Sequence, residues 1–100
     1  MKLKVKKLGS LRGLVFRRKQ KLPVLLKRVG RGSITTWFVF HRIDLVFLDV
    51  NGVVVDIRWN LKPFSTYKPP RNYSFVLEFP AGEAQNVVMG SRLELEVVNP

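Results

Sequence analysis

Ile43-Asp44-Leu45-Val46-Phe47-Leu48-Asp49-Val50-Asn51-Gly52-Val53-Val54-Val55-Asp56-Ile57-Arg58-Trp59 is the stretch whose reading decides the fold. Two runs of aliphatic, β-branched and aromatic residues flank Asn51-Gly52, the strongest short-range hairpin signal a sequence offers. Two registers compete. A two-residue loop puts Asp44, Val46 and Leu48 on the face of Val53, Val55, Ile57 and Trp59, and sinks Asp44 opposite Trp59. A three-residue loop over 50–52, with Gly52 at positive φ, pairs Asp49 with Val53 and Phe47 with Val55. It gathers Ile43, Leu45, Phe47, Val53, Val55, Ile57 and Trp59 on one face and sets Asp44 against Arg58 on the other. Burying an unpaired carboxylate costs several kcal/mol, so the second register is expected. Asp44 and Arg58 then form an exposed cross-strand pair worth about 0.2–1 kcal/mol.

Upstream of the hairpin, Leu3 and Val5 alternate with Lys2, Lys4 and Lys6, which predicts a half-buried first strand with a lysine-rich edge. Gly9-Ser10 should break it. Ser10 can cap a short helix carrying Leu11, Leu14 and Val15 on one face and Arg17, Arg18 and Lys19 near its negative end. Strands are expected at 24–29 and 34–40, with a turn at 30–33 between them. Downstream, three prolines make 60–72 an irregular loop. Tyr73, Phe75, Leu77 and Phe79 then alternate with more polar neighbours as a strand. Pro80-Ala81-Gly82 opens a second short helix through about Met89, with Ala84, Val87 and Val88 inward and Gly90 ending it. Leu93, Leu95 and Val97 form a last strand, with Glu94 and Glu96 outward. The predicted fold class is α+β, mainly β: a small curled antiparallel or mixed sheet, or a barrel-like domain, of six to seven short strands with two short helices. Residues 1–100 read as a single domain.

Charge is the strongest compositional feature. The 100 residues carry 18 Lys and Arg against 7 Asp and Glu, a formal net charge of +11. Residues 1–42 hold thirteen of the basic residues and no acidic one. Such asymmetry points to a polyanionic partner, nucleic acid or an anionic membrane surface, or to a solvated face that maintains solubility. The absence of cysteine excludes disulfides, a thiol nucleophile and thiolate metal ligands. The basic N-terminus is not followed by an uninterrupted apolar stretch, and no run approaches a membrane-spanning length. A soluble, cytoplasmic protein is expected.

Five segments in order carry a resemblance to a known family. They are Arg12-Gly13-Leu14-Val15-Phe16-Arg17, Ser33-Ile34-Thr35-Thr36-Trp37-Phe38, Ile43 to Asp49 with Gly52, Lys62-Pro63-Phe64, and Leu77-Glu78-Phe79-Pro80-Ala81-Gly82 with Gly90. Over about residues 11–97 the chain resembles the domain-of-unknown-function-192 family of small bacterial and archaeal proteins. The resemblance implies a compact, mainly β fold with little helix. Family members commonly have His, Met, Pro and Asp where Thr35, Val39, Arg42 and Ser91 stand here. The family's most site-like cluster, beside the Ile-Asp turn, therefore lacks its histidine. What is implied is a fold and a candidate region, without a reaction.

Candidate chemistry follows from the same residues. His41 is the sole imidazole. With Asp44 it could form a general-base pair, although a lone His beside Arg at a strand end is more often a packing residue. A pocket of Thr36, His41, Asp44 and Glu78 is the candidate ligand site. A hydrolase or metal-dependent centre around Thr36, His41 and Asp44 is its catalytic variant. Polyanion binding would draw on Arg17, Arg18, Lys19, Lys21, Lys27, Arg28 and Arg31 in the basic half. Lys62, Tyr67, Lys68 and Arg71 in the long loop would join them, because cations interleaved with aromatics suit base stacking beside phosphates. Against this, Phe64 and Tyr67 could simply pin the loop to the sheet, while Trp37, Trp59 and Phe79 read as core. The leading expectation is a small binding or accessory domain without catalytic activity, catalytic residues, metal or cofactor. The alternative is a sequence-nonspecific nucleic-acid-associated protein.

Overall fold

Eight strands form among the described residues, which in this computed structural model are 2–10, 22–28, 34–35, 41–63, 65–69 and 72–98. They are β1 (Lys2–Ser10), β2 (Val24–Lys27), β3 (Ile34–Thr35), β4 (Ile43–Leu48), β5 (Val54–Leu61), β6 (Thr66–Tyr67), β7 (Phe75–Pro80) and β8 (Glu94–Val97). Six make one sheet in the order β5-β4-β7-β2-β1-β8, and β3 pairs with β6 in a second, two-stranded sheet. β1 runs parallel to both β2 and β8, and the remaining pairs are antiparallel.

The hairpin tip forms as expected. Asp49 donates its backbone N–H to Val53 O at 2.9 Å, and Gly52 N–H reaches Asp49 O at 3.1 Å. Gly52 sits at φ 83°, a region open to glycine. The Asp49 carboxylate secures the turn by accepting the N–H groups of Asn51 at 2.8 Å and Val53 at 3.0 Å.

Beyond the tip the expected register fails. Leu48 still pairs with Val54, but Phe47 pairs with Asp56, Val46 with Ile57 and Leu45 with Arg58. Val55 is therefore an extra residue on β5, a bulge that moves every following side chain to the other face. A second irregularity comes before Ile43 pairs with Leu61, and within it Asn60 adopts φ 59°. Asn tolerates that left-handed conformation better than most residues. Asp44 consequently lies on the side of Ile57, the outcome that the expected register excluded.

Both faces of β4 are covered, so all six of its residues are buried. Val46, Leu48, Val54, Ile57, Leu77 and Phe79 pack on one face with Ala84, Val87 and Leu93. Ile43, Leu45, Phe47 and Val76 pack on the other with Val24, Leu26 and Tyr73, and Tyr67 closes over them. The apolar run of β4, interrupted only by Asp44, suits a strand buried on two sides.

Three other expectations change. β1 is interior rather than an edge, because β8 pairs beside it with Lys2 opposite Glu94 and Lys4 opposite Glu96. The lysines meet the glutamates of the neighbouring strand, a favourable cross-strand match. β1 also continues through Ser10 instead of breaking at Gly9, and the helix expected after it lies outside the described residues. The second expected helix is absent: 81–86 is a run of turns with single i→i+3 bonds, Glu83 N–H to Pro80 O and Val87 N–H to Ala84 O. Ala84 and Val87 point inward as expected, whereas Val88 is exposed.

The sheet curls without closing into a barrel, since β5 and β8 do not pair along their lengths. Residues 90–93 span the gap at one end. Gly90 N–H bonds Val54 O, Val54 N–H bonds Ser91 O, and Leu93 N–H bonds Gly52 O at 2.8–2.9 Å. No helix among the described residues is long and apolar enough to cross a membrane.

Candidate functional site

Asp44 is fully buried, yet its carboxylate is not orphaned. Oδ1 accepts the backbone N–H of Asn60 at 2.8 Å, while Oδ2 accepts those of Gly82 at 2.9 Å and Ala84 at 3.2 Å. Three converging main-chain amides form a nest for an anion, which removes most of the penalty that argued against burial. Each donor depends on the local chain path. The left-handed turn at Asn60 aims its N–H inward, and Gly82 at φ 89° lets the 81–84 turn fold over the carboxylate. One side chain thus ties the kink in β5 to a turn that lies about forty residues beyond Asp44 itself.

The two tied segments are the walls of an open cleft of about 570 Å³ lined by Asp44, Trp59, Asn60, Ala81, Gly82 and Gln85. That volume is ordinary for a small-molecule site. Trp59, expected in the core, is 54% exposed. Gln85 folds over Gly82, its Nε2 lying 3.9 Å from where a β-carbon on that glycine would be. The cleft therefore presents an aromatic surface, two primary amides and a fixed buried carboxylate.

Of the expected pocket of Thr36, His41, Asp44 and Glu78, the two acids do not face each other. Thr36 lies outside the described residues, and His41 is half-buried at the bend before β4. Asp44 pairs with Phe79 and Glu78 with Leu45, so the two acids point to opposite faces of the sheet. Glu78 is itself buried, 4% exposed. Among the described residues no three His, Asp or Glu side chains come together as metal ligands.

A second cluster organises the long loop. Tyr67 packs on Phe47 with ring centroids 5.7 Å apart, and its hydroxyl donates to Asp56 Oδ2. The Arg58 guanidinium lies over the Tyr67 ring, 4.5 Å from its centroid, and 3.7 Å from Asp56. The Val55 bulge makes this possible by turning Asp56 and Arg58 toward the loop. Burial, followed by the bond to Asp56, pushes the Tyr67 hydroxyl pKa above its usual 10.0. The hydrogen bond with Tyr67 raises that of Arg58.

Of the candidate polyanion contacts, Lys27, Arg28, Lys62, Tyr67 and Lys68 are among the described residues. Lys27, Lys62 and Lys68 are exposed. Arg28 is drawn back onto Tyr73, over its ring at 4.4 Å and bonded to its carbonyl at 3.0 Å. Arg17, Arg18, Lys19, Lys21, Arg31 and Arg71 lie outside the described residues, as does Phe64.

Sequence reasoning missed Trp59, Asn60, Gly82, Ala84 and Gln85. The available signal was Asp44 itself, a lone acid in an apolar strand, which needs donors from somewhere.

Comparison with known proteins gives a consistent picture. The model of the DUF192 family, described as an uncharacterized ACR, matches residues 3–95. A UPF0127 protein of Pyrococcus furiosus is 36% identical over 87 residues, covering 82% of this chain and 74% of that one. A UPF0127 protein of Pyrococcus horikoshii is 31% identical over 78 residues, covering 75% and 67%. Two crystal structures share the fold. A protein of unknown function from Novosphingobium aromaticivorans has a TM-score of 0.74 at 17% identity, covering 88% of this chain and 71% of that one. A Sinorhizobium meliloti protein described as a candidate transcription regulator has a TM-score of 0.71 at 22% identity, covering 88% and 78%.

Proposed function

We propose that this chain, which belongs to the DUF192 family, is a binding domain that recognises a small ligand in the cleft beneath Trp59. The observation that carries the reading is the Asp44 clamp. A buried carboxylate holding three backbone N–H groups fixes both walls of a cleft whose rim exposes a tryptophan. Large apolar side chains left in water beside preorganised polar groups are characteristic of recognition sites. Binding is favoured over catalysis because Asp44 is the one acid–base group among the described lining residues, and both its oxygens are engaged by the main chain. A general base needs a free acceptor in reach of the substrate proton.

The polyanion reading has less support. Tyr67, the aromatic proposed for base stacking, is held by Phe47, Asp56 and Arg58. The likeness to the Sinorhizobium protein is one of fold.

The test is an NMR screen of a mixed small-molecule library against the amide and indole N–H signals. Hits should shift the Trp59 indole and the amides of Asn60, Gly82 and Gln85, and Trp59→Ala should abolish them. A library without cleft hits, or with hits mapping only elsewhere, contradicts the proposal.

A further inference from the structure

We infer that the ligand of this cleft is a neutral saccharide, an assignment that rests on the binding reading above. Charge narrows the choice first. Asp44 forms the floor and no cationic residue is among the described residues lining the cleft, so an anion would approach a carboxylate with none of them to attract it. A cation is disfavoured by the net charge of +11. Among the described lining residues it would also find one aromatic wall rather than the enclosing cage that binds ammonium groups. A neutral ligand remains.

The reachable groups then define its chemistry. Trp59, Asn60, Ala81, Gly82 and Gln85 are all exposed, whereas Asp44 is sealed beneath them and acts by holding the walls. The electron-rich face of an indole attracts the weakly positive C–H groups on one side of a pyranose ring. The amides of Asn60 and Gln85 each offer a carbonyl acceptor and two N–H donors. A sugar hydroxyl both donates and accepts, so vicinal hydroxyls suit such amides, whereas an aliphatic ligand would leave them unmatched. Gly82 adds no side chain to the wall, which keeps the approach beside Gln85 open to a flat ring. Together the described lining residues offer one stacking surface, two bifunctional amides and no accessible charge.

The experiment titrates the full chain with cellotriose, maltotriose and chitotriose, using choline, acetate and a fragment library as comparators, with amide and indole N–H spectra as the readout. At least one trisaccharide should give saturable shifts at Trp59, Gly82 and Gln85. Trp59→Ala should weaken that sugar by about ten-fold or more with the spectrum otherwise folded. Gln85→Ala should weaken it independently, without disturbing the three bonds to Asp44. Cleft shifts from choline, acetate or fragments but from no sugar would overturn the saccharide assignment and leave the binding proposal standing. Silence from every probe would overturn both, and sugar shifts confined to other surfaces would overturn the assignment.

Discussion

Asp44 and Gly52 carry consequences out of proportion to their size. Replacing Asp44 with Asn retains one acceptor oxygen but turns an NH2 donor toward N–H groups that need an acceptor. The expected cost is about 1–3 kcal/mol, the range for leaving buried polar groups unmatched, measured by urea unfolding. Gly52 is constrained twice: by φ 83°, and by Leu93 O, which would lie 3.0 Å from an added β-carbon. Gly52→Val should therefore destabilise by more than about 1 kcal/mol, seen as a lower urea midpoint with unchanged slope. The glycine was legible from Asn51-Gly52 alone, because turn chemistry is local. The burial of Asp44 was not, because two of its donors come from residues 82 and 84, on a segment whose path no nearby sequence pattern encodes.

The elements divide in the same way. The hairpin tip and the existence of β2, β7 and β8 follow from composition, but alternation misreads two of their faces. β7 is buried on both sides, Glu78 included, and Val97 of β8, expected inward, is exposed. The Val55 bulge and the kink at Asn60 do not follow from composition, since nothing in Val53-Val54-Val55 says which valine is extra. Yet the bulge decides the architecture, for it sends Ile57 and Trp59 toward Asp44 and turns Asp56 and Arg58 toward β6. The Tyr67–Asp56–Arg58 cluster gives β6 a pH signature. Its hydroxyl pKa is raised in the folded chain, chiefly by burial, so folding favours the protonated form. That contribution is fully present below pH about 10 and is lost as pH rises toward the higher folded value. Stability measured from pH 8 to 11 should fall at the alkaline end, and Tyr67→Phe should flatten part of that fall. Tyr73, also raised by burial, acts in the same direction. An unchanged alkaline slope in Tyr67→Phe would mean the hydroxyl does not link the loop to β5.

At the scale of the molecule, the six-stranded sheet is held in its curl by residues 90–93, which join the edge near β8 to the hairpin tip. Leu93 both donates to Gly52 O and packs in the core, so Leu93→Ala should cost about 2–5 kcal/mol in unfolding free energy. The mainly β character was readable from the chain, but the parallel placement of β1 between β2 and β8 was not, because pairings between chain ends leave no periodic trace. The charge asymmetry is likewise a whole-molecule property, and it bears on the cleft through the cations it repels. The Asp44 clamp holds the cleft together, and amide hydrogen exchange at Asn60, Gly82 and Ala84 reads it directly. Gly82 is exposed as a residue, so protection of its amide reports the bond to the carboxylate. These three amides should exchange slowly in the wild-type chain and at least about ten-fold faster in Asp44→Asn, following the loss of roughly 1.4 kcal/mol of local stability. Equal exchange in the two proteins, with both folded, would contradict the claim that this carboxylate builds the cleft.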